Sequence, residues 1–167
     1  MIDPTLPAEA RRIELLRRSG LLEGSPMPEL EDICARAQGY FGTAVALVTL
    51  IDADRQVMRA AAGTDLREMP RSAAFCDHTI RSDGVLVVRD ARADPRFAGN
   101  PVVTGAPFIR FYAGAPLIYL DGYRLGSVCL LDPEPRDFSP LEEADLALTA
   151  EQVVGLLIAR EYATNFA

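Results

Sequence analysis

Two strand-like segments joined by a tight turn place the strongest constraint on the fold. The segments cover 108–120 and 124–131, and Asp121-Gly122 lies between them. Asp-Gly between two such segments is the strongest short-range signal of a β-hairpin. Shorter apolar segments earlier in the chain, separated by turn residues and by a polar loop at 63–71, predict further strands. These strands are expected at 45–51, 56–62, 72–76 and 85–88. The middle of the chain is therefore rich in β-structure.

Helical periodicity marks both ends of the chain. Residues 8–19 carry apolar side chains among charges and stop at a glycine, a typical C-terminal signal. Ser25-Pro26 is expected to open a second helix with apolar residues at helical spacing. A capping box at 139–142, Ser-Pro-Leu-Glu, predicts a third helix that continues to about Tyr162. Helices at both ends and strands between them predict an α+β domain with one antiparallel sheet.

Composition excludes several classes of function. The 167 residues fit one domain, over 1–167, with a full core. All 17 basic residues are arginine, so mechanisms that need a lysine amine are excluded. A net charge of −7 argues against nucleic acid or an anionic membrane as the main partner. No leader-like segment is present and no apolar run approaches the ~20 residues that span a bilayer, so we expect a cytoplasmic protein.

The segment 88–117 combines polar side chains with an apolar strand. Such polar groups at the mouth of an apolar strand typically orient a small molecule in a cavity. Prolines and glycines interrupt the loop 91–105, which we predict to form a pocket wall. The polar residues in question are Asp90, Asp94, Arg96, Arg110 and Tyr112.

Arg110 has three possible environments. It can point to solvent, pair with a carboxylate such as Asp90 or Asp94, or present its guanidinium to an anionic ligand. Buried arginines are nearly always paired, which favours the second environment, whereas a position inside an apolar strand favours ligand contact. Arg96 likewise either caps its own loop or contacts a ligand, and Phe97 is expected to anchor that loop in the core.

Cys76-Asp77-His78 is the candidate for thiol chemistry, since a thiolate beside a histidine is how cysteine nucleophiles are arranged. No motif supplies an oriented base or an oxyanion hole, so no catalytic residue is predicted. One histidine in the whole chain disfavours a metal site built by the protein. Cys34 and Cys129 occupy apolar helix and strand positions that suit packing, so Cys76 is expected to lack a second thiol within reach.

Several motifs together carry a resemblance to a known family. They are Phe75-Cys76 with His78, Asp90, Arg96-Phe97, Asn100-Pro101, Thr104-Gly105, Arg110-Phe111-Tyr112-Ala113-Gly114 and Leu125-Gly126. With these motifs, about residues 10–160 resemble the GAF sensory domain, in the bacterial subgroup attached to sensor histidine kinases and diguanylate cyclases. The resemblance implies an antiparallel sheet with the N- and C-terminal helices on one face and a ligand pocket on the other.

The resemblance also implies a function. We expect a non-catalytic domain of bacterial signal transduction that senses an unidentified small molecule. It would form a homodimer through its terminal helices and control a kinase or cyclase output domain. The residues expected to bind the ligand are Phe75, Cys76, His78, Asp90, Arg96, Arg110 and Tyr112.

Three alternatives to a ligand sensor stay open. The first is a ligand-free module for dimerisation and signal relay. The second is a redox or methionine-sulfoxide-reductase-type thiol site at Cys76. The third is a tetrapyrrole sensor, although Asp77 here separates the cysteine and histidine that are adjacent in bilin-binding relatives.

Overall fold

The computed structural model describes residues 7–166; the first six residues and the last residue of the predicted domain lie outside this range. The helices are α1 (Ala8–Ser19), α2 (Pro28–Phe41), α3 (Cys76–Thr79), α4 (Pro101–Thr104) and α5 (Pro140–Phe166). The strands are β1 (Val45–Ile51), β2 (Arg55–Ala62), β3 (Glu68–Pro70), β4 (Leu86–Val88), β5 (Phe111–Ile118) and β6 (Arg124–Asp132).

The strands of the described chain form one antiparallel sheet in the order β3-β2-β1-β6-β5-β4. The predicted hairpin is confirmed as β5 and β6, with Asp121 and Gly122 at φ values of 61° and 80°. The capping box is also confirmed, because the Ser139 and Glu142 side chains each accept a hydrogen bond from the other residue's backbone N–H. The predicted α+β class is correct.

Opposite faces of the sheet bury different sets of residues. In β1, Ala46 and Val48 pack with α1, α2 and α5, whereas Leu47 points into a second apolar cluster on the other face. This alternation places all three long helices on one face, as expected from the pleat of a strand. No helix in the described range is both long enough and apolar enough to cross a membrane.

Several predicted elements differ from the structure, and the strand expected from residue 108 begins at Phe111. The second helix begins at Pro28 and not at Ser25-Pro26, with Met27 in an extended conformation before it. The polar loop contains the short edge strand β3, which pairs with β2. The predicted strand at 72–76 is instead a single 3-10 turn followed by α3. Phe75 of this segment is buried against the rings of Phe97 and Tyr112 and not within the sheet. In the sequence, these buried apolar residues resemble a short buried strand.

A cluster of charged groups fastens α1 to the sheet. Arg12 is buried and donates from Nη1 to the backbone carbonyl of Ile51 at 2.7 Å. The same guanidinium binds both carboxylate oxygens of Glu9 at 2.9 Å. Arg71 also donates to Glu9, at 2.6 Å. Hydrogen bonding by Arg12 is the main reason that the pKa of Glu9 falls to about 2.

We expect a Glu9→Gln substitution to destabilise the protein by about 1 kcal/mol near neutral pH, a small value because the Glu9 side chain is 52% exposed. The folded pKa is lower than the ordinary value, so the carboxylate stabilises the fold above pH 4.5 and loses this effect as the pH falls toward 2. Urea unfolding of both proteins between pH 6 and pH 2.5 tests this.

The difference in unfolding free energy between the two proteins should shrink as the pH falls. Glu134→Gln, at an exposed loop position, is the matched control. A Glu9→Gln difference that stays constant with pH would contradict the assigned role of the Glu9 carboxylate.

Candidate functional site

A cavity of about 120 Å³ lies on the face of the sheet opposite the long helices. The sheet supplies one wall, α3 and the turn before it a second, and the segment around α4 a third. The described lining is almost entirely apolar. The lining residues are Val45, Leu47, Gln56, Met58, Thr64, Leu66, Met69, Ala73, Phe75, Cys76, Val102, Pro107, Ile109, Tyr112, Cys129 and Leu131.

Gln56 is a polar side chain in this apolar wall. The residue is 3% exposed, and its Nε2 donates only a long contact of 3.5 Å to the sulfur of Met69. Its Oε1 is buried without a hydrogen-bond partner among the described residues. An unpaired buried carbonyl is costly, commonly by about 1–3 kcal/mol. Gln56 therefore gives the cavity lining a buried carbonyl oxygen that lacks a hydrogen-bond partner among the described residues.

A pair of cysteine thiols lies at the floor of the cavity. The Sγ atoms of Cys76, on α3, and Cys129, on β6, are 3.7 Å apart. The Ser127 hydroxyl lies 2.9 Å from Cys76 Sγ, and the Tyr112 hydroxyl lies 3.2 Å from the same sulfur. Cys76 Sγ is thus the acceptor of a set of buried donors rather than an isolated apolar thiol.

Two threonines support these hydroxyl donors. The Thr49 hydroxyl is 3.2 Å from Ser127 Oγ, and the Thr79 hydroxyl is 2.6 Å from Tyr112 Oη. We call Thr49, Thr79, Tyr112 and Ser127 the hydroxyl cluster. Each member is buried. Because the hydroxyl cluster fixes its own orientation, two of its groups can be directed at one sulfur.

The pKa values of the two thiols are shifted in opposite directions. Burial alone raises the pKa of Cys76, but hydrogen bonds from Cys129 and from the hydroxyl cluster outweigh burial and lower it to about 7. Burial raises the pKa of Cys129 well above its ordinary value, and the neighbouring Cys76 raises it further. A proton is therefore lost from Cys76 first and kept on Cys129.

Gly114 makes room for the Tyr112 hydroxyl. A Cβ atom built on Gly114 would lie 2.1 Å from Tyr112 Oη and 2.9 Å from Thr79 Oγ1. Residues 112 and 114 project from the same face of β5, so the tyrosine ring extends across the glycine. The absence of a side chain at this position allows the phenol to reach Cys76.

Three of the seven residues predicted to bind a ligand line the cavity, namely Phe75, Cys76 and Tyr112. His78 lies behind the wall, where its ring meets Phe97 edge-on at a centroid distance of 4.8 Å. Burial lowers the pKa of His78, with a further contribution from Arg81. Ligand contact by the predicted residues stays a prediction, and four of them lie outside the described lining.

The other three predicted residues are engaged elsewhere. Asp90 binds Arg92 at 2.8 Å, and Arg96 binds Asp94 at 2.7 Å. In each pair the aspartate lies two residues before the arginine. Its carboxylate also accepts a hydrogen bond from the backbone N–H of that arginine, which closes a local turn. These local pairs occupy the acids that were expected to reach Arg110.

Arg110 therefore has a partner that its three predicted environments did not include. Its Nη1 donates to the backbone carbonyl of Val103 at 2.9 Å, and its guanidinium lies over the Phe108 ring at 5.8 Å. The arginine fastens the segment that carries α4 to the start of β5. Within the predicted wall 91–105, Val102 lines the cavity and Phe97 is buried as expected, and Pro107 adds to the lining just beyond those bounds.

The expectation that Cys76 lacks a second thiol is wrong. Cys34 does pack on the helix side of the sheet, where burial raises its pKa to about 12. Cys129, however, faces the cavity, because residues alternate between the two faces along β6. Strand alternation applied to β6 signals that Cys129 and Ser127 share a face, but no sequence signal places them beside Cys76.

Gln56 and the hydroxyl cluster, apart from Tyr112, were also missed. The alternating burial of β2 puts Gln56 on the same face as Met58, and a glutamine at an inward position is a usable signal. Among the described residues, no group of three or more His, Cys, Asp or Glu side chains is arranged to hold a metal ion.

Comparison with a known enzyme covers nearly the whole chain. A cyclic di-GMP phosphodiesterase of Pseudomonas aeruginosa is 45% identical over 161 residues, which are 96% of this chain and 27% of that protein. The chain thus spans about a quarter of the length of this relative. The similarity accordingly concerns one part of a longer enzyme.

Solved structures agree with the fold. Free methionine-R-sulfoxide reductase from Neisseria meningitidis has a TM-score of 0.68 at 18% identity, covering 93% of this chain and 89% of its own. The GAF domain of an Acinetobacter phosphoenolpyruvate-protein phosphotransferase has a TM-score of 0.67 at 15% identity, covering 97% and 100%. The GAF domain family matches residues 28–157. Since this match includes most of the chain and the solved folds agree with it, the protein belongs to the GAF domain family.

Proposed function

We propose that the chain is a small-molecule-sensing domain of a bacterial signalling protein, without catalytic activity of its own. The observation that carries the proposal is the unpaired Gln56 Oε1 in the wall of an apolar cavity. A cavity whose polar group lacks a partner is suited to a ligand that supplies one. The family membership supports a role in signalling.

The cavity favours a small and mostly apolar ligand that donates one hydrogen bond. Its volume is about 120 Å³, and an apolar cavity of about 150 Å³ is large enough for benzene. None of the described lining side chains is charged, so an anionic nucleotide would find no counter-charge there. Arg96 and Arg110, the two arginines predicted to bind a ligand, donate hydrogen bonds to Asp94 and to the Val103 carbonyl, and neither lines the cavity.

The sheet connects the cavity to the long helices. Leu47 of β1 lines the cavity, whereas the adjacent Ala46 and Val48 pack against the helices. A ligand that shifts β1 would therefore shift the packing of α5, provided that it binds the two arrangements with different affinity. Leu141 and Leu148 of α5 are exposed, which supports dimerisation through this helix.

The similarity to part of a cyclic di-GMP phosphodiesterase supports an output that handles cyclic di-GMP. In this proposal the domain controls such an output and does not bind the nucleotide in its own cavity. A kinase or cyclase output, expected from the subgroup, is the alternative.

Ligand binding is tested by NMR titration of the ¹⁵N-labelled protein with phenol and with benzene. Both probes should give saturable shifts of cavity amides, because both fit an apolar cavity. Phenol, unlike benzene, carries a hydroxyl group that would donate to Gln56 Oε1. In Gln56→Met the ratio of phenol affinity to benzene affinity should fall about fivefold, since one hydrogen bond is lost.

Ala73→Leu is the cavity-filling control and should abolish the shifts for both probes. If neither probe gives saturable shifts with the unaltered protein, the cavity is not a ligand site and the relay alternative is favoured. If the affinity ratio is unchanged in Gln56→Met, the amide does not bind the ligand and the proposed ligand class is wrong.

A further inference from the structure

We propose that Cys76 and Cys129 form an oxidation-sensitive thiol pair, which a small hydroperoxide entering the cavity converts into a disulfide. Both cysteines line the cavity, and their Sγ atoms are 3.7 Å apart on elements 53 residues distant in sequence. The inference is independent of the proposed ligand, because it requires only that a small molecule can enter.

The two sulfur atoms are close enough to bond after a small movement. A disulfide has an S–S distance of about 2.05 Å, so the sulfurs must approach by roughly 1.6 Å. Cys76 is the first residue of the four-residue helix α3, and the cavity lies beside it. A small shift of this short helix, or rotation of the thiols within the space that the cavity provides, brings the sulfurs together.

The surroundings assign different roles to the two cysteines. Hydroxyl groups of Ser127 and Tyr112 point at Cys76 Sγ, and such donors stabilise a thiolate, which is the reactive form of cysteine. Cys129 keeps its proton because the burial that raises its pKa is not offset to the same degree. Cys76 is thus the sulfur that attacks, and Cys129 is the one that resolves the intermediate.

The reaction balances in two steps. The Cys76 thiolate attacks a peroxide oxygen; an S–O bond forms, the O–O bond breaks, and the alcohol leaves with the proton that Cys76 gave up. Cys129 Sγ then attacks the sulfur of the resulting sulfenic acid; the S–S bond forms, the S–O bond breaks, and water leaves with the proton of Cys129. Two thiols are oxidised to one disulfide, and one hydroperoxide is reduced to alcohol and water.

A Cys76–Cys129 disulfide would alter the site. It would join α3 to β6 across the floor of the cavity and remove the thiolate to which Ser127 and Tyr112 donate. Both hydroxyl groups would then lose this acceptor and keep only their threonine neighbours, so the hydroxyl cluster would rearrange beneath any bound ligand. Oxidation would in this way change the same cavity wall that the proposed ligand contacts.

The experiment is oxidation of the folded protein by tert-butyl hydroperoxide, followed by denaturation in the presence of an alkylating agent and peptide mass spectrometry. We expect a Cys76–Cys129 disulfide that dithiothreitol reverses, with Cys34 still alkylated as a free thiol. Cys34 is the internal control, since it is equally buried but lies in the core on the other face. No disulfide in the folded protein, or equal oxidation of Cys34, would overturn the proposal.

Variants assign the roles. Cys129→Ser should stop at the sulfenic acid of Cys76, seen as a gain of one oxygen, whereas Cys76→Ser should leave Cys129 unoxidised. Ser127→Ala removes one donor and should slow disulfide formation about fivefold. An unchanged rate in Ser127→Ala, or oxidation of Cys129 without Cys76, would contradict the assigned roles.

Discussion

Replacing Gly126 with alanine is expected to lower the free energy of unfolding by at least about 3 kcal/mol, an effect at the upper end for a single methyl group. A Cβ at this position would lie 1.8 Å from the carbonyl oxygen of Thr49 and 2.7 Å from its carbon. These atoms belong to the backbone of β1, which pairs with β6 at the centre of the sheet. No side-chain rotation can relieve the overlap. Urea unfolding followed by circular dichroism measures the loss.

Gly155→Ala is the matched control for the same change in volume. Gly155 lies on an exposed part of α5, and a Cβ there meets nothing within 4 Å. Alanine in a helix interior is favoured over glycine by about 0.5–1 kcal/mol, so this variant should be slightly more stable than the unaltered protein. If Gly126→Ala cost less than about 1 kcal/mol, the two central strands would not approach as closely as described.

Phe97→Ala is expected to cost about 3–5 kcal/mol, the usual range for removing a buried phenylalanine. The residue is 1% exposed, and its ring stacks on Phe75 with centroids 4.3 Å apart. Because Phe75 lines the cavity, loss of the Phe97 ring removes the support behind that wall. Urea unfolding measures the cost, and hydrogen exchange should show reduced protection in the segment 91–105.

Phe108→Ala removes the same side chain at a position just beyond that segment without uncovering the core. Phe108 is 49% exposed, and its ring centroid lies 5.8 Å from the guanidinium of Arg110. We expect a change below about 1 kcal/mol and no effect on exchange within 91–105. Equal costs for Phe97→Ala and Phe108→Ala would show that Phe97 does not anchor the cavity wall.

Local sequence signals were sufficient for the elements whose stabilising contacts are local. The capping box at the start of α5 joins residues three positions apart, and the β5–β6 turn depends on two adjacent residues with positive φ. The prediction of a strand at 72–76 was wrong because apolar residues indicate only that a segment is buried. Here the burial comes from the packing of Phe75 on Phe97 above the sheet.

The candidate site was predictable only in part. Phe75, Cys76 and Tyr112 were identified by motif, and all three line the cavity. The charged residues of the same motifs were predicted to face a ligand, but local turns gave Asp90 and Asp94 arginine partners two residues away. A nearby partner in sequence costs less chain entropy than a distant one, so these carboxylates pair locally.

The α+β class, the terminal helices and the hairpin could all be predicted from the amino-acid sequence, because each follows from periodicity or from contacts within a few residues. The contact between Cys76 and Cys129, and the unpaired oxygen of Gln56 in a residue of the apolar wall, become visible only in the folded chain. These features join residues that are tens of positions apart. Their distances depend on strand register and on how α3 packs against the sheet, and neither leaves a local pattern in the chain.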